Sequence, residues 1–450
     1  MPDRPHEVYE FGGFRLDVGE RTLARQPGGE RVAVPEKAFR TLVHLVRNGG
    51  ALVPREAILS AVWPDVQVED ANVGKVIHIL RVALEEPREA GRYIETVAKH
   101  GYRFVADVTR TSQTFAGSAV RSPAYDLYIR GKVKAGSEDL GDTTEAISLL
   151  ETAVDLDPAY APAFAQLARA YNTRSFKFTS QADGKRLREN AEVALTKALD
   201  LDPNLAEAHL ARGLILWTKA KGFPHAQAIH SFTKALELDP DADETHHQLS
   251  MVYSHVGRMD EAQHHVERAI DLNPNNTMAR FRVGVYAAWQ CRFDEALEVL
   301  KTVPSDVSPL LVDRVRAEVY VQLGRVEKAR PIVDGYLARH PNDEGGSLTS
   351  VMGLLLAKMG DEGGARRAIA GAVELGRGFG HFHHTAHNIA AAYAALGKPE
   401  EAINWIEAAA DDGFPCYTYF ERDPNLEALR DHPRFVGLMS ALRQQWTPST

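Results

Sequence analysis

Cysteine is nearly absent from this 450-residue sequence: Cys291 and Cys416 are the only two. Two cysteines cannot build a disulfide framework or a cysteine-rich zinc module, and they suit a reducing compartment. Long apolar runs are missing too; no stretch of the roughly 18 residues needed to span a bilayer is apolar throughout. The start, MPDRPHEVYEFGG, lacks the apolar segment of a secretory signal. Neither charge sign dominates: 52 Lys+Arg against 61 Asp+Glu leave −9, which excludes a chain that is polybasic throughout. There is no phosphate loop of the G-x-x-x-x-G-K-[ST] type and no G-x-S-x-G elbow. The one dense glycine run, Gly376 to Gly380, follows a helical pattern and reads as a turn. The expectation is a soluble cytoplasmic protein without a cofactor, not an enzyme and not membrane-bound.

What is present falls into two patterns. Residues 1–108 open with short alternating runs, Val8–Phe11, Phe14–Asp17, Thr22–Ala24 and Arg31–Val34, separated by glycine-rich turns. Pro35 then stands at a helix start, and Phe39, Leu42, Val43, Leu45 and Val46 follow at helical spacing until Asn48-Gly49-Gly50. A second short helix is expected from Pro54 to Val62-Trp63. A third, from about Glu69-Asp70, carries Val73, Ile77, Leu80 and Leu84 on one face. Two strands, Tyr93–Val97 and Tyr102–Val105, close the segment around Ala98-Lys99-His100-Gly101. Sheet, three helices and hairpin in that order predict a small α+β winged helix-turn-helix.

Particular segments also resemble a family. Pro35-Glu36-Lys37-Ala38-Phe39, Val53-Pro54-Arg55-Glu56 with Val62-Trp63, Asn72 to Leu84, and Ile94-Glu95-Thr96-Val97 with Gly101-Tyr102-Arg103-Phe104 arrive in order and at the right spacing. Together they resemble the OmpR/PhoB-type DNA-binding domain in its ToxR/CadC-like branch. That resemblance implies a third helix in the major groove and a wing at the minor groove of double-stranded DNA, with a homodimer on DNA as a further expectation. Receiver domains stand upstream in phosphorelay members, and none is expected here. Departures are Val76 and Ile79, where the family favours polar readers, and Ala98 in the wing.

Residues 109–123 are small and polar without periodicity, and are expected to be a flexible linker. From 124 to 450 the chain repeats. Asp157-Pro158, Asp202-Pro203, Asp239-Pro240 and Asn273-Pro274 each close a helix, with the prolines 45, 37 and 34 residues apart. A small-residue ladder precedes each: Ala146/Leu150/Ala153, Ala191/Leu195/Ala198, Ala228/Phe232/Ala235 and Ala262/Val266/Ala269. Period and pattern resemble tetratricopeptide (TPR) repeats, implying an all-α TPR solenoid of about eight units. The tail to Trp446 reads as a capping helix.

Charge separates the two parts. Residues 1–110 hold 16 Lys/Arg and 16 Asp/Glu, so the remainder carries the whole −9. With the apolar stripe of the third helix facing inward, Asn72, Lys75, His78 and Arg81 project elsewhere, and the wing adds Lys99, His100 and Arg103. Asn pairs with adenine, Arg with guanine, and Lys neutralises phosphate. In the repeats, the register places Trp217, His247, Met251, His255, Phe281 and Trp289 on a concave inner surface, where aromatic and Met side chains would anchor a protein or peptide partner. The alternative is that these side chains fill the packing between repeats.

His381, His383, His384 and His387 are the one metal-like cluster, but no carboxylate motif accompanies them. They read as a polar surface of the last repeat, with no metal expected, and His246-His247 and His264-His265 as exposed faces. The function expected is a sequence-specific DNA-binding transcriptional regulator with the repeats as partner or oligomerisation module. The competing reading is a TPR scaffold whose winged helix serves protein contacts.

Overall fold

The computed structural model describes residues 8–18, 22–32, 34–62, 70–86, 92–97, 100–111, 123–135, 140–178, 181–303, 307–376 and 378–447. It divides into two compact units, Met1–Val120 and Arg121–Thr450.

In the first unit, strands β1 (Val8–Phe11), β2 (Phe14–Asp17), β3 (Thr22–Arg25) and β4 (Arg31–Val32) lead into helix α1 (Glu36–Arg47). Then come β5 (Leu52–Pro54), α2 (Arg55–Val62), α3 (Asp70–Ala83), β6 (Ile94–Val97), β7 (Gly101–Phe104) and β8 (Thr109–Thr111). One sheet runs β4-β3-β2-β1-β8 and the other β5-β7-β6. Thr109–Thr111 pair with Val8–Glu10, so the expected linker does not begin at 109: the alternating Thr-Arg-Thr completes a sheet edge instead. Pro123, its other limit, already starts a helix. Trp63 lies outside the described residues.

The sheet faces meet at an aromatic cluster. The Phe11 ring stands edge-on to Phe104 with centroids 4.9 Å apart, and Phe14 edge-on to Tyr93 at 5.8 Å. Tyr93 Oη donates to the carbonyl of Gly12 at 2.7 Å. Gly101 needs its glycine: it holds φ at +151°, and a Cβ there would stand 2.1 Å from the Val53 carbonyl oxygen, so β5 and β7 could not approach.

The second unit is helical. Consecutive helices pair as α4 (Pro123–Ala135) with α5 (Leu140–Leu156), α6 (Ala161–Phe178) with α7 (Gln181–Leu201), α8 (Ala206–Leu216) with α9 (His225–Leu238), and α10 (Asp243–His255) with α11 (Met259–Leu272). The series continues with α12 (Thr277–Trp289) and α13 (Phe293–Lys301), α14 (Pro309–Gln322) and α15 (Val326–Arg339), α16 (Ser347–Lys358) and α17 (Glu362–Gly376), and α18 (Phe382–Ala395) and α19 (Pro399–Asp411). Two more, α20 (Tyr417–Arg422) and α21 (Pro433–Trp446), end it. Among the described residues no helix is long and apolar enough to cross a membrane.

The repeated motif has a local mechanism. After each of these second helices the Asp or Asn side-chain Oδ1 accepts the backbone N–H two residues on: Asp157 from Ala159 at 3.1 Å, Asp202 from Asn204 at 2.9 Å and Asn273 from Asn275 at 3.2 Å. This turn and the following proline stop the helix. Six residues beyond the proline, the next helix reaches back to the proline carbonyl, through His209 at 2.8 Å and His246 at 3.1 Å. The alanines of the ladder are fully buried and let the paired helices approach closely.

Candidate nucleic-acid interface

Helix α3 is two-faced. Val73, Ile77, Leu80 and Leu84 are buried, joined by Val76, which therefore belongs to the core and could not read a base. The opposite strip exposes Gly74, Lys75, His78, Ile79 and Val82. Val82 is 65% exposed and Ile79 38%, so the face carries a cation, an imidazole and two apolar side chains. Asn72 lies in the first turn of α3; its side chain is outside the described residues, as is Lys99 of the wing.

Two expected readers are committed elsewhere. Arg81 turns to the hairpin: its guanidinium donates to the Ile94 carbonyl at 2.7 Å and the Thr96 hydroxyl at 2.9 Å, and lies 3.9 Å from the Glu86 carboxylate. Glu86 is buried and accepts the backbone N–H groups of Tyr93, at 2.8 Å, and Ile94. A buried carboxylate requires donors, and Arg81 supplies the compensating charge from the helix that the hairpin must lie against. Arg103 pairs with Glu95 across the two wing strands at 3.1 Å, both side chains partly exposed. His100 is exposed at the turn between those strands. A groove between helix and wing is lined by Gly74, His78, Arg81, Val82, Thr96 and Tyr102.

Sequence comparison agrees with this geometry. Residues 29–104 match the family described as "Transcriptional regulatory protein, C terminal", and residues 137–160, 243–276 and 384–412 match tetratricopeptide repeat families. The chain carries an OmpR/PhoB-type winged helix followed by TPR repeats. It is similar to "Transcriptional regulator HilA" of Salmonella typhimurium, 37% identical over 99 residues, which is 22% of this chain and 17% of that one. A "Cholera toxin homolog transcriptional activator" of Vibrio parahaemolyticus is 28% identical over 119 residues, 25% of this chain and 41% of the other. The chain thus spans under half the length of either relative. Among solved structures, response regulator DrrB, a Thermotoga maritima OmpR/PhoB homolog, is 34% identical over 22% of this chain and 44% of its own, with a TM-score of 0.21.

The TPR inner surface departs from expectation. Trp217, His247, His255, Phe281 and Trp289 are all buried, and Met251 is partly buried against the same core. Buried in this way they are not an open partner groove, and the segment from Phe414 to Tyr419 lies on two of them, His255 and Trp289. Trp289 stacks on Tyr419 with centroids 5.6 Å apart, His255 meets Phe414 at 5.2 Å, and Thr418 donates to the Gly257 carbonyl at 3.1 Å. Lys219 forms an ion pair with Asp412 at 2.9 Å, and His225 stands edge-on to Trp446 at 5.4 Å. Trp217 gives its indole N–H to His225 at 3.0 Å.

The histidines also differ from a polar surface. His383 and His387 are buried, and so are His246 and His247. His387 Nε2 lies 3.0 Å from the Asp423 carboxylate, and His246 shares a proton with His265, nitrogen to nitrogen, at 2.8 Å. Burial pushes the imidazole of His247 down to about 3 and that of His225 to about 4. One ring nitrogen each of His255, His383 and His384 lies within 4.8 Å of the other two. Residue spacing gives the His383–His384 pair, but nothing in it ties them to His255, which the fold brings in from α10.

Proposed function

We propose that this protein is a DNA-binding transcriptional regulator, with the first 111 residues contacting double-stranded DNA and the repeats, from 123 on, forming the regulatory part. The carrying observation is the exposed strip of α3: Lys75 and His78 stand clear on a helix whose other face is locked into the core of an OmpR/PhoB-type domain. Lys75 serves as a phosphate charge, His78 and Asn72 as base-edge partners, and Ile79 and Val82 as apolar contacts for thymine methyl groups. The wing, with Lys99 and His100 at its turn, lies across the backbone. Arg81 and Arg103 support this surface by holding the hairpin. Since the unit carries no net charge, affinity rests on where its cations sit.

The repeats act through their outer surface or by pairing of copies, because their inner aromatic residues are buried in the unit's own core. The test is selection of bound genomic fragments by the full chain, followed by titration over a range of salt. Lys75→Ala should weaken binding to all selected fragments and lower the salt slope by about one unit. Full affinity in a folded Lys75→Ala/His78→Ala protein would remove α3 as the reading element and favour the winged helix as a protein-contact module.

A further inference from the structure

We propose that His255, His383 and His384 form a buried site for one late first-row transition-metal ion of the zinc class. The three imidazoles come from two helices far apart in sequence. His255 is the last residue of α10, and His383 and His384 sit in the first turn of α18. Their ring centroids lie 5.5 Å (His255–His383), 5.3 Å (His255–His384) and 4.5 Å (His383–His384) apart.

The protonation pattern is the one a metal needs. His255 places Nδ1 2.8 Å from the Met251 carbonyl, and His383 places Nδ1 2.8 Å from the Asp412 carbonyl. A carbonyl only accepts, so each Nδ1 carries the hydrogen and each Nε2 is left with its lone pair. Both Nε2 atoms are buried and lack a hydrogen-bond partner among the described residues. A ligating imidazole whose other nitrogen donates to a backbone carbonyl is the usual outer-shell arrangement of a zinc site. Neither Nε2 faces an acceptor that a second ring proton would need, so these two rings are neutral and need lose no proton to bind.

The walls are aromatic: Trp217 lies 5.0 Å from His255, Phe223 5.5 Å from His383, and Phe414 4.8 Å from His384. Trp217 has given its indole N–H to His225, and His381 adds a fourth imidazole with its ring 5.4 Å from His383. The cation nearest in effect to His384, Arg314, is neutralised by Glu318 at 2.9 Å. Zinc–imidazole bonds of about 2.0–2.1 Å bring tetrahedral ligand nitrogens to roughly 3.3 Å from one another, within reach of the present spacing by ring rotation. Three neutral nitrogen ligands leave a fourth position for water or hydroxide, and imidazole suits zinc, copper and nickel over calcium or magnesium. The ion would tie the end of α10 to the start of α18.

The experiment uses the full chain, stripped by chelator and titrated with Co2+ and then Zn2+. One equivalent of Co2+ should give the visible bands of a four-coordinate ion, bleached by Zn2+. His384→Ala should abolish the bands while His230→Ala, an exposed imidazole elsewhere, keeps them. Should His384→Ala not fold, X-ray absorption on the zinc-loaded wild type decides: three imidazole scatterers support the site, and an all-oxygen shell overturns it. Absence of the Co2+ bands, or equal bands in a folded His384→Ala protein, also overturns it.

Discussion

Single residues decide what the proposed DNA-facing surface is. Arg81 and Lys75 both carry charge on α3, yet one is bound to the hairpin and the other stands in solvent. Arg81→Ala should therefore act on folding: it strips a donor from the Ile94 carbonyl and the compensating charge from buried Glu86, costing about 1–3 kcal/mol in urea unfolding of the first unit. Lys75→Ala should leave that transition within about 0.5 kcal/mol of wild type and change only binding. A similar reversal applies to Phe281, which is fully buried, and to Trp289, which is buried against Tyr419. Each change to Ala should cost about 3–5 kcal/mol, read as loss of cooperative thermal unfolding, whatever it does to regulation.

Elements were the most legible scale. The third-helix stripe Val73/Ile77/Leu80/Leu84 and the alanine ladders are buried as their spacing requires, since a helical period leaves one face for the core. The same rule misplaced residues whose environment is set by distant chain. Helical spacing alone could not show that Phe414 covers the end of α10 and Tyr419 the end of α12, or that Arg81 bends toward β6. Close helix approach makes a sharp prediction here. At Gly213 in α8 a Cβ would stand 2.4 Å from the Phe232 ring, whereas at Gly437 in α21 it would meet nothing within 4 Å. Gly437→Ala should stabilise by about 0.5–1 kcal/mol through helix propensity. Gly213→Ala should destabilise by about 1–3 kcal/mol despite the same propensity gain, because the ring must move. Thermal melts of the two proteins should shift in opposite directions.

At the scale of the whole second unit, buried imidazoles set an acid limit. His247 titrates near 3 in the folded chain, with burial as the main cause and Arg282 adding to it, against about 6.5 when unfolded. Between those values the unfolded chain binds the extra proton, so stability falls as pH drops through that window and is insensitive to this group above it. Each such histidine contributes up to about 1.4 kcal/mol per pH unit there. In chelator-treated protein, the urea midpoint by tryptophan fluorescence should decline below about pH 6. His247→Leu should flatten that decline by one proton's worth. An unchanged slope would mean that His247 is protonated in the fold.

Repeat arrays ordinarily assemble from neighbour to neighbour, so each unit is finished soon after it leaves the ribosome. Here the Gly257 carbonyl waits for Thr418, Trp289 for Tyr419, and His225 for Trp446. The units around α9 to α12 stay incomplete until the segment from Thr418 to Trp446 has been made. A frameshift or nick that removes α20 and α21 should therefore open aromatic surface far upstream, around Trp217 and Trp289, and expose it to quality-control proteases.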